Sequence, residues 1–350
     1  MGRFKSPASC YDHHRHNRNH GRGSRGIADL SRVWVTPVVM SIPPSIIVGS
    51  LQDPHVRAVV AHVPSAVVLD VERLREIDFA FDGEVMRTGE FGQDLYTLAG
   101  SRGWIRRLVP PAWQRGVEAD SHQAAVAASW LSVLANIIRL GPTQWLTPLD
   151  EGLIAESKLS QLRAAKRLGL MTPKTLIATD PTTVVAELGP RPVVKPLTHG
   201  YFFDERGANV VYAQEVDVEE IPAELWRTVP MLAQERIYAR RHFRVVTVAD
   251  RVWACELEAE GLPVDWRSVE SSHGAFLSVS RPDERLLDGA RSMSRALGLG
   301  YSSQDWVMSG PGKYVMLDVN PGGQWLFLPS EVSELVTQAV AGWLRGHAWA

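Results

Sequence analysis

Apolar positions along this chain recur with two repeat lengths, and the change from one to the other marks the elements. Residues 45–50, SIIVGS, form a short β-branched run ending in Gly49 and predict a strand. In the following DPHVRAVVAHV, Asp53 predicts the N-cap of a helix with Pro54 at its first position. AVVLDV at 66–71 predicts a second strand, so strand, helix and strand build a small α/β layer. GWIRRLVPPAWQRG, 103–116, reads as a proline-rich connector that is basic and aromatic, and a helix follows over 122–140. The next helix is predicted to start at Asp150 as N-cap and to bury a face of Leu153, Ile154, Leu159, Leu162, Ala165 and Leu168 before Gly169 stops it.

A strand at 175–179, a helix opening at Asp180-Pro181 and a strand at 191–197 come next. From Met231 the pattern turns strand-rich: MLAQERI, then FRVVTVADRVWACELE folded at Ala249-Asp250, a helix over 283–297, a hairpin, and a closing helix over 330–344. The order predicts an α/β fold with α+β lobes. Its expected divisions are a tail and linker at 1–43, an N-terminal α/β domain at 44–145, a central lobe at 146–228 and a C-terminal lobe at 229–350.

With 45 % apolar and 22 % charged residues in 350, the chain has the make-up of a globular protein of several lobes. A formal net charge of -2 removes any global field for nucleic acid, so no nucleic-acid partner is expected. Cys10 and Cys255 form neither a disulfide framework nor a C-x-x-C pair, which points to a reducing, cytoplasmic setting. The apolar stretch 33–51 is broken by Pro37, Pro43 and Pro44, so no membrane segment is expected there. Residues 1–26 carry six Lys or Arg and four His with almost nothing apolar, the composition of a disordered tail. The twelve Trp are mainly core candidates, Trp104, Trp113, Trp130 and Trp145 among them.

The candidate chemistry centres on the hairpin. YSSQDWVMS and YVMLDVNP flank the four residues GPGK; if Ser309 faces Tyr314, Asp305 lies across from Asp318 and Ser303 across from Asn320. Asp305, Asp318 and Asn320 then share one face. Opposed carboxylates repel, so either this is a solvated polar face or a cation sits between them. Two carboxylates and an amide oxygen suit Mg²⁺. Lys195 interrupts the apolar run RPVVKPL, where a lysine needs an anionic partner, whereas Lys158 taken alone is an ordinary helix charge. Within AQERIYARRHFRV, Arg236, Arg240, Arg241 and Arg244 offer guanidinium groups for phosphate or carboxylate; Arg240 and Arg241 are expected in a turn and Arg244 on a strand.

Taken in order, Lys158, Lys195, AQERI, HFRV, Asp305 and DVNPGGQW resemble the ATP-grasp superfamily of carboxylate ligases over roughly residues 145–345. The pattern AESKLSQLRAAKRLGLMTPKTL, VVKPL and NPGGQWLF is most similar to the ribosomal-peptide maturases of the microviridin, or graspetide, type. The resemblance implies ATP and Mg²⁺ as cofactors. It places Lys158 and Lys195 on the phosphates, Gln234, Glu235, Arg236 and Ile237 around the adenine, and Arg244 opposite the transferred phosphate. Asp305, Asp318 and Asn320 become the metal ligands, with Lys195 and Arg244 in the catalytic roles. Arg206, Arg240, Arg241 and Trp325 are candidates for the substrate. Two departures are visible: Asp318 stands where Glu is usual, and His242 replaces an acid that commonly precedes the strand arginine.

The implied reaction converts an Asp or Glu side chain of a precursor peptide to an acyl-phosphate and joins it to a hydroxyl or amine. Ligases of small carboxylates or of protein termini, of the glutathione-synthetase or glutamate-ligase type, and a non-catalytic ATP-binding protein are the alternatives. A homodimer is the candidate assembly.

Overall fold

The computed structural model of the protein describes residues 45–76, 79–81, 86–88, 101–109, 121–197, 200–204 and 207–347. The basic tail, Cys10, Trp113 and Arg206 lie outside the described residues. In the N-terminal domain, β1 (Ile46–Gly49), α1 (Pro54–His62), β2 (Val67–Asp70), β3 (Phe79–Phe81), β4 (Met86–Thr88), β5 (Arg102–Ile105), α2 (His122–Leu140) and β6 (Gln144–Trp145) follow one another. Four of these strands form a parallel sheet in the order β2-β1-β5-β6. Asp53 caps α1 as expected, its Oδ1 accepting from His55 N at 2.8 Å. The stretch read as a connector from 103 onward begins instead inside β5, because Gly103 and Trp104 pair with β1 and β6.

Helix α2 has the expected bounds and is long and apolar enough to cross a membrane by length and composition. Leu134 and Ile138 are buried against the sheet, and the Ile138 carbonyl accepts from Trp145 Nε1 at 3.0 Å.

Two helices, α3 (Leu149–Glu156) and α4 (Lys158–Arg167), replace the single helix predicted after Pro148. Pro148 rather than Asp150 takes the first N-cap position, and Ser157 caps the second helix, its Oγ facing Ser160 N at 3.4 Å. The break resets the helical phase. Leu149, Ala155, Gln161, Ala164 and Ala165 are therefore the buried positions, while Leu153, Ile154, Leu159 and Leu168 are exposed. Gly169, at φ +66°, ends the pair in the left-handed region that favours glycine.

The central lobe comprises β7 (Thr175–Ala178), α5 (Pro181–Leu188), β8 (Val193–Pro196), β9 (Tyr201–Asp204), β10 (Gly207–Val210), β11 (Gln214–Glu215), α6 (Ala223–Thr228) and β12 (Met231–Gln234). Its antiparallel sheet runs β11-β8-β12-β7. Strand β12 thus belongs to this sheet, and the expected division at 228/229 falls before the lobe's last strand.

The C-terminal lobe contains β13 (Arg241–Val248), β14 (Arg251–Glu258), β15 (Leu277–Ser278), α7 (Glu284–Ala296), β16 (Tyr301–Gly310), β17 (Lys313–Asn320) and α8 (Ser330–Leu344). Its antiparallel sheet runs β15-β14-β13-β16-β17, which leaves β17 at an edge. One core joins this sheet, α8 and the N-terminal domain, with Ile47, Val56, Trp104, Val246, Trp325 and Val336 in contact.

Candidate active site

The hairpin β16–β17 sets the site. Asp305 faces Asp318 and Ser303 faces Asn320, the pairing predicted from the sequence. The route to it differs. Gly310 faces Lys313 around a two-residue turn and Met308 faces Tyr314, so Ser309 is extra on one strand, and a second irregularity between Asp305 and Trp306 leaves Leu317 extra on the other. One extra residue on each strand cancels, and the acids keep their register. The Leu317 carbonyl, displaced from regular pairing, accepts from Lys195 Nζ at 3.3 Å.

Each acid also has a basic partner, which amends the argument from bare repulsion. Asp305 lies opposite Arg244 on β13, with Arg244 Nη1 3.3 Å from Asp305 Oδ1. Lys158, at the first position of α4, donates to Asp318 Oδ1. Burial on its own would raise the Asp318 carboxyl, but Lys158 and Lys195 outweigh it and hold the group below its ordinary value. Burial lowers the Lys195 ammonium, with Asp318 opposing that shift and Lys158 adding to it. The two lysines, 37 positions apart in sequence by their numbers, are therefore brought to neighbouring residues of β17, Lys158 to the Asp318 carboxylate and Lys195 to the Leu317 carbonyl.

Gln161, three residues after Lys158, was not singled out by sequence reasoning. Its buried amide donates to Ala155 O and Val319 O, both at 2.7 Å, and accepts from Val319 N at 3.1 Å. It thereby fastens α4 to the sheet edge at the residue between Asp318 and Asn320. Only a side chain that both donates and accepts can satisfy both backbone groups of one residue.

Lys195, Asp305 and Asp318 line an open cleft between the central and C-terminal sheets, and Lys158 and Arg244 reach it through their pairing with the two acids. Its walls include Lys195 on β8, Gln234, Glu235, Arg236 and Ile237 after β12, and Asp305 and Asp318 on the hairpin. Glu235 lies there, but its Oε1 accepts from Lys174 N at 2.8 Å and its own N–H donates to Lys174 O at 2.9 Å. His242, the departure noted at the residue before Phe243, is buried on the same wall, and burial lowers its imidazole below the ordinary value. Arg244 does not depend on an acid at that position. It is 7 % exposed, paired with Asp305, and lies 5.6 Å from the Trp266 ring and 5.5 Å from that of Phe327.

The cleft brings in two further residues that the sequence reading passed over. Asp265, itself buried, accepts two hydrogen bonds from the Arg267 side chain at 2.8 and 2.6 Å and one from Ala213 N at 3.2 Å. That side-chain hydrogen bonding raises the Arg267 guanidinium further, and Asp305 and Asp318 add to the effect across the cleft. The D-x-R spacing in VDWRS was the available signal: an acid and an arginine two positions apart can orient each other.

Three of the substrate candidates stand elsewhere. Trp325 is fully buried, packed against His55, Trp104 and Tyr301, with Nε1 donating to Thr337 Oγ1 at 3.0 Å, so it is a core residue and not a wall of the cleft. Phe327 instead approaches Arg244. Arg241 opens β13 rather than a turn and is engaged by Glu256 at 2.6 Å and Glu258 at 3.7 Å, which uses its charge locally. Arg240 is exposed beside it.

Buried polar atoms without hydrogen-bond partners gather at this cleft. Among the described residues they include Arg236 Nε and Nη1, Arg244 Nε and Asp305 Oδ1. Groups of this kind are rare in a finished interior and leave hydrogen-bonding capacity here for water, an ion or a ligand, beside the ion pairs of Arg236 with Glu215 and Arg244 with Asp305. Among the described residues no three His, Cys, Asp or Glu side chains cluster as metal ligands, so a metal here would rest on two carboxylates and the Asn320 amide. That oxygen-only set, with Asp305 Oδ1 accepting no hydrogen bond beside its ion pair with Arg244, fits a hard cation.

The chain superposes on solved ATP-grasp ligases over most of its length and has the ATP-grasp fold. One such structure is a RiPP-associated ATP-grasp ligase from Chryseobacterium gregarium, in complex with ADP and a leader and core peptide (TM-score 0.74, 18 % identity, 87 % of this chain and 98 % of that one). Another is the macrocyclase MdnC from Microcystis aeruginosa bound with precursor peptide MdnA (TM-score 0.71, 19 % identity, 86 % and 99 % covered). The ATP-grasp ligase PsnB, complexed with minimal precursor, Mg and ADP, matches with a TM-score of 0.66 at 16 % identity, 86 % and 98 % covered. No family model and no curated protein matches the chain.

Proposed function

We propose that the protein is an ATP-dependent, ADP-producing ligase that activates an Asp or Glu side chain of a precursor peptide and joins it to a hydroxyl or amine. The observation that carries this reading is the convergence of Lys195, Arg236 and Arg267 with Asp305 and Asp318 on one cleft, with Lys158 and Arg244 paired to the two acids from beside it. The solved structures of this fold include complexes with ADP and precursor peptides, which favours a peptide substrate over a small carboxylate.

In this reading Lys158 and Lys195 bind phosphate oxygens, and the backbone of 234–237 receives the adenine. Mg²⁺ held by Asp305, Asp318 and Asn320 would neutralise triphosphate charge. Arg267, oriented by Asp265, holds the substrate carboxylate. A carboxylate oxygen attacks the γ-phosphorus, the bond to the β-phosphate oxygen breaks, and ADP leaves. Arg244 stabilises charge on the transferred group. The hydroxyl or amine then attacks the acyl carbon, orthophosphate departs, and the acceptor's proton passes to solvent. No protein nucleophile is used; the residues position reactants and neutralise charge.

The test is ADP release with Mg²⁺-ATP and acidic peptides containing Ser, Thr or Lys. Lys195→Ala should abolish ADP formation while circular dichroism and the melting profile stay those of a folded protein. Unchanged turnover in that variant would remove the site assignment.

A further inference from the structure

The backbone that follows Asn320 is held from a distant part of the chain. Asn320 Oδ1 accepts from Gly322 N at 3.0 Å. The Gly322 carbonyl accepts from Nη1 of Arg106, on the segment after β5, and the next carbonyl, Gly323, accepts from the buried Tyr301 Oη at 2.8 Å. A Cβ at Gly323 would collide with the side chain of Ser303, so this backbone approaches the sheet as closely as it can. Two residues later, His55 Nε2 accepts from Trp325 N at 3.2 Å and faces Leu326 N at 3.4 Å.

The ring of His55 can accept there only in one neutral tautomer. Its Nδ1 lies 2.9 Å from Asp53 Oδ1, and an N–H on Nδ1 donating to that carboxylate leaves the Nε2 lone pair for the two backbone amides. Arg106 Nη2, 3.3 Å from Nδ1, is then a neighbour and not a donor to the ring. Burial keeps the imidazole neutral by lowering it below its ordinary value, and Arg106 works in the same direction. Asp53 Oδ2 in turn faces Arg106 Nε at 3.1 Å. His55 and Arg106 are each 4 % exposed. None of the three is among the residues lining the cleft, yet Arg106 and His55 hydrogen-bond to one short stretch directly beyond the candidate ligand, and Asp53 contacts both.

We infer that Asp53, His55 and Arg106 are positioning residues for the metal site: they hold the 322–326 backbone so that Gly322 N–H fixes the direction of the Asn320 carboxamide oxygen two residues along the strand from Asp318. This rests on the metal reading proposed above. Outer partners of this kind fix the direction of a ligand atom without touching the metal, and removing them costs about 10- to 100-fold in metal affinity.

The experiment titrates Mn²⁺ by electron paramagnetic resonance in the presence of a non-hydrolysable ATP analogue. The proteins are wild type, His55→Ala, His55→Gln, Tyr301→Phe, Asn320→Ala and Asp318→Asn. His55→Ala should weaken Mn²⁺ by about tenfold, with metal-free nucleotide affinity within about twofold of wild type. His55→Gln should recover most of the loss, because its amide oxygen can accept from the same backbone. Should His55→Ala not fold, Tyr301→Phe decides, since it deletes one hydroxyl on the Gly323 carbonyl and should still weaken Mn²⁺ severalfold. Wild-type Mn²⁺ affinity in folded His55→Ala or in Tyr301→Phe, alongside its loss in Asp318→Asn, overturns the positioning role. Mn²⁺ binding unchanged in both Asp318→Asn and Asn320→Ala would instead overturn the metal reading, and this inference with it.

Discussion

Replacing Gln161 by Leu keeps the volume of the side chain and removes its hydrogen bonds to Ala155 O, Val319 O and Val319 N. Each such bond contributes about 1 kcal/mol net, and a buried carbonyl left without a partner costs at least as much. The three together give a destabilisation of about 3 kcal/mol. At about 2–4 °C per kcal/mol for a unit of this size, the melting transition that includes the C-terminal lobe should fall by about 6–12 °C. Val319 N–H also lies 2.9 Å from Asp318 Oδ1, so in the variant this amide keeps only the carboxylate as acceptor and competes with the cleft for it. Hydrogen exchange of the β17 segment and calorimetry measure the loss, and ADP release measures its effect on the site. A variant that melts within about 1 °C of wild type, with β17 equally protected, would refute the reasoning that Gln161 fastens α4 to the strand.

The stability of the protein should depend on pH through its buried imidazoles. The folded-state values of His55 and His242 are lowered; the unfolded chain therefore takes up protons first, and their contribution is complete above the unfolded value of about 6.5 and is lost as pH falls below it. Urea midpoints from pH 8 to 5 should decline, and His55→Gln should flatten part of that slope; an identical slope would contradict the neutral ring. Arg241→Ala should leave turnover within about twofold, because Glu256 and Glu258 already engage the guanidinium; a large rise in KM for the peptide would return Arg241 to the substrate site. Cys255, fully buried and with its thiol pushed up to about 12, should resist Ellman's reagent in a Cys10→Ser protein until the lobe unfolds; rapid labelling under native conditions would contradict its burial.

The pairing of Asp305 with Asp318 was legible because side chains alternate with period two and a hairpin brings consecutive strands together. A two-residue turn closed by Gly310 and Lys313 sets the same register as a four-residue turn closed by Ser309 and Tyr314, and the two strand irregularities that the sequence does not reveal cancel because Ser309 and Leu317 are extra on opposite strands. Lys158 looked ordinary in sequence because its meaning comes from Asp318, 160 positions away. The phase of its helix was lost at Ser157, where a polar cap in a continuous apolar repeat was the overlooked sign. Gln161 and Asp265-Trp266-Arg267 gave weak signals, since their partners are backbone atoms or charges supplied by tertiary packing. Trp325 was drawn toward the site by adjacency to Asn320, whereas its ring turns into the core shared with His55 and Tyr301.

Helix α8 returns to the first of the described residues: Ser45 Oγ donates to Leu344 O at 2.7 Å, and the Trp343 indole donates to Gly103 O at 3.3 Å. A nascent polypeptide leaving the ribosome therefore presents β1, α1 and β5 long before the helix that seals them has been made. Such late closure favours slow folding and prolonged exposure of the Ile47, Val56 and Trp104 surface, so chaperone dependence during expression should track the integrity of α8 more closely than that of any single residue in the cleft.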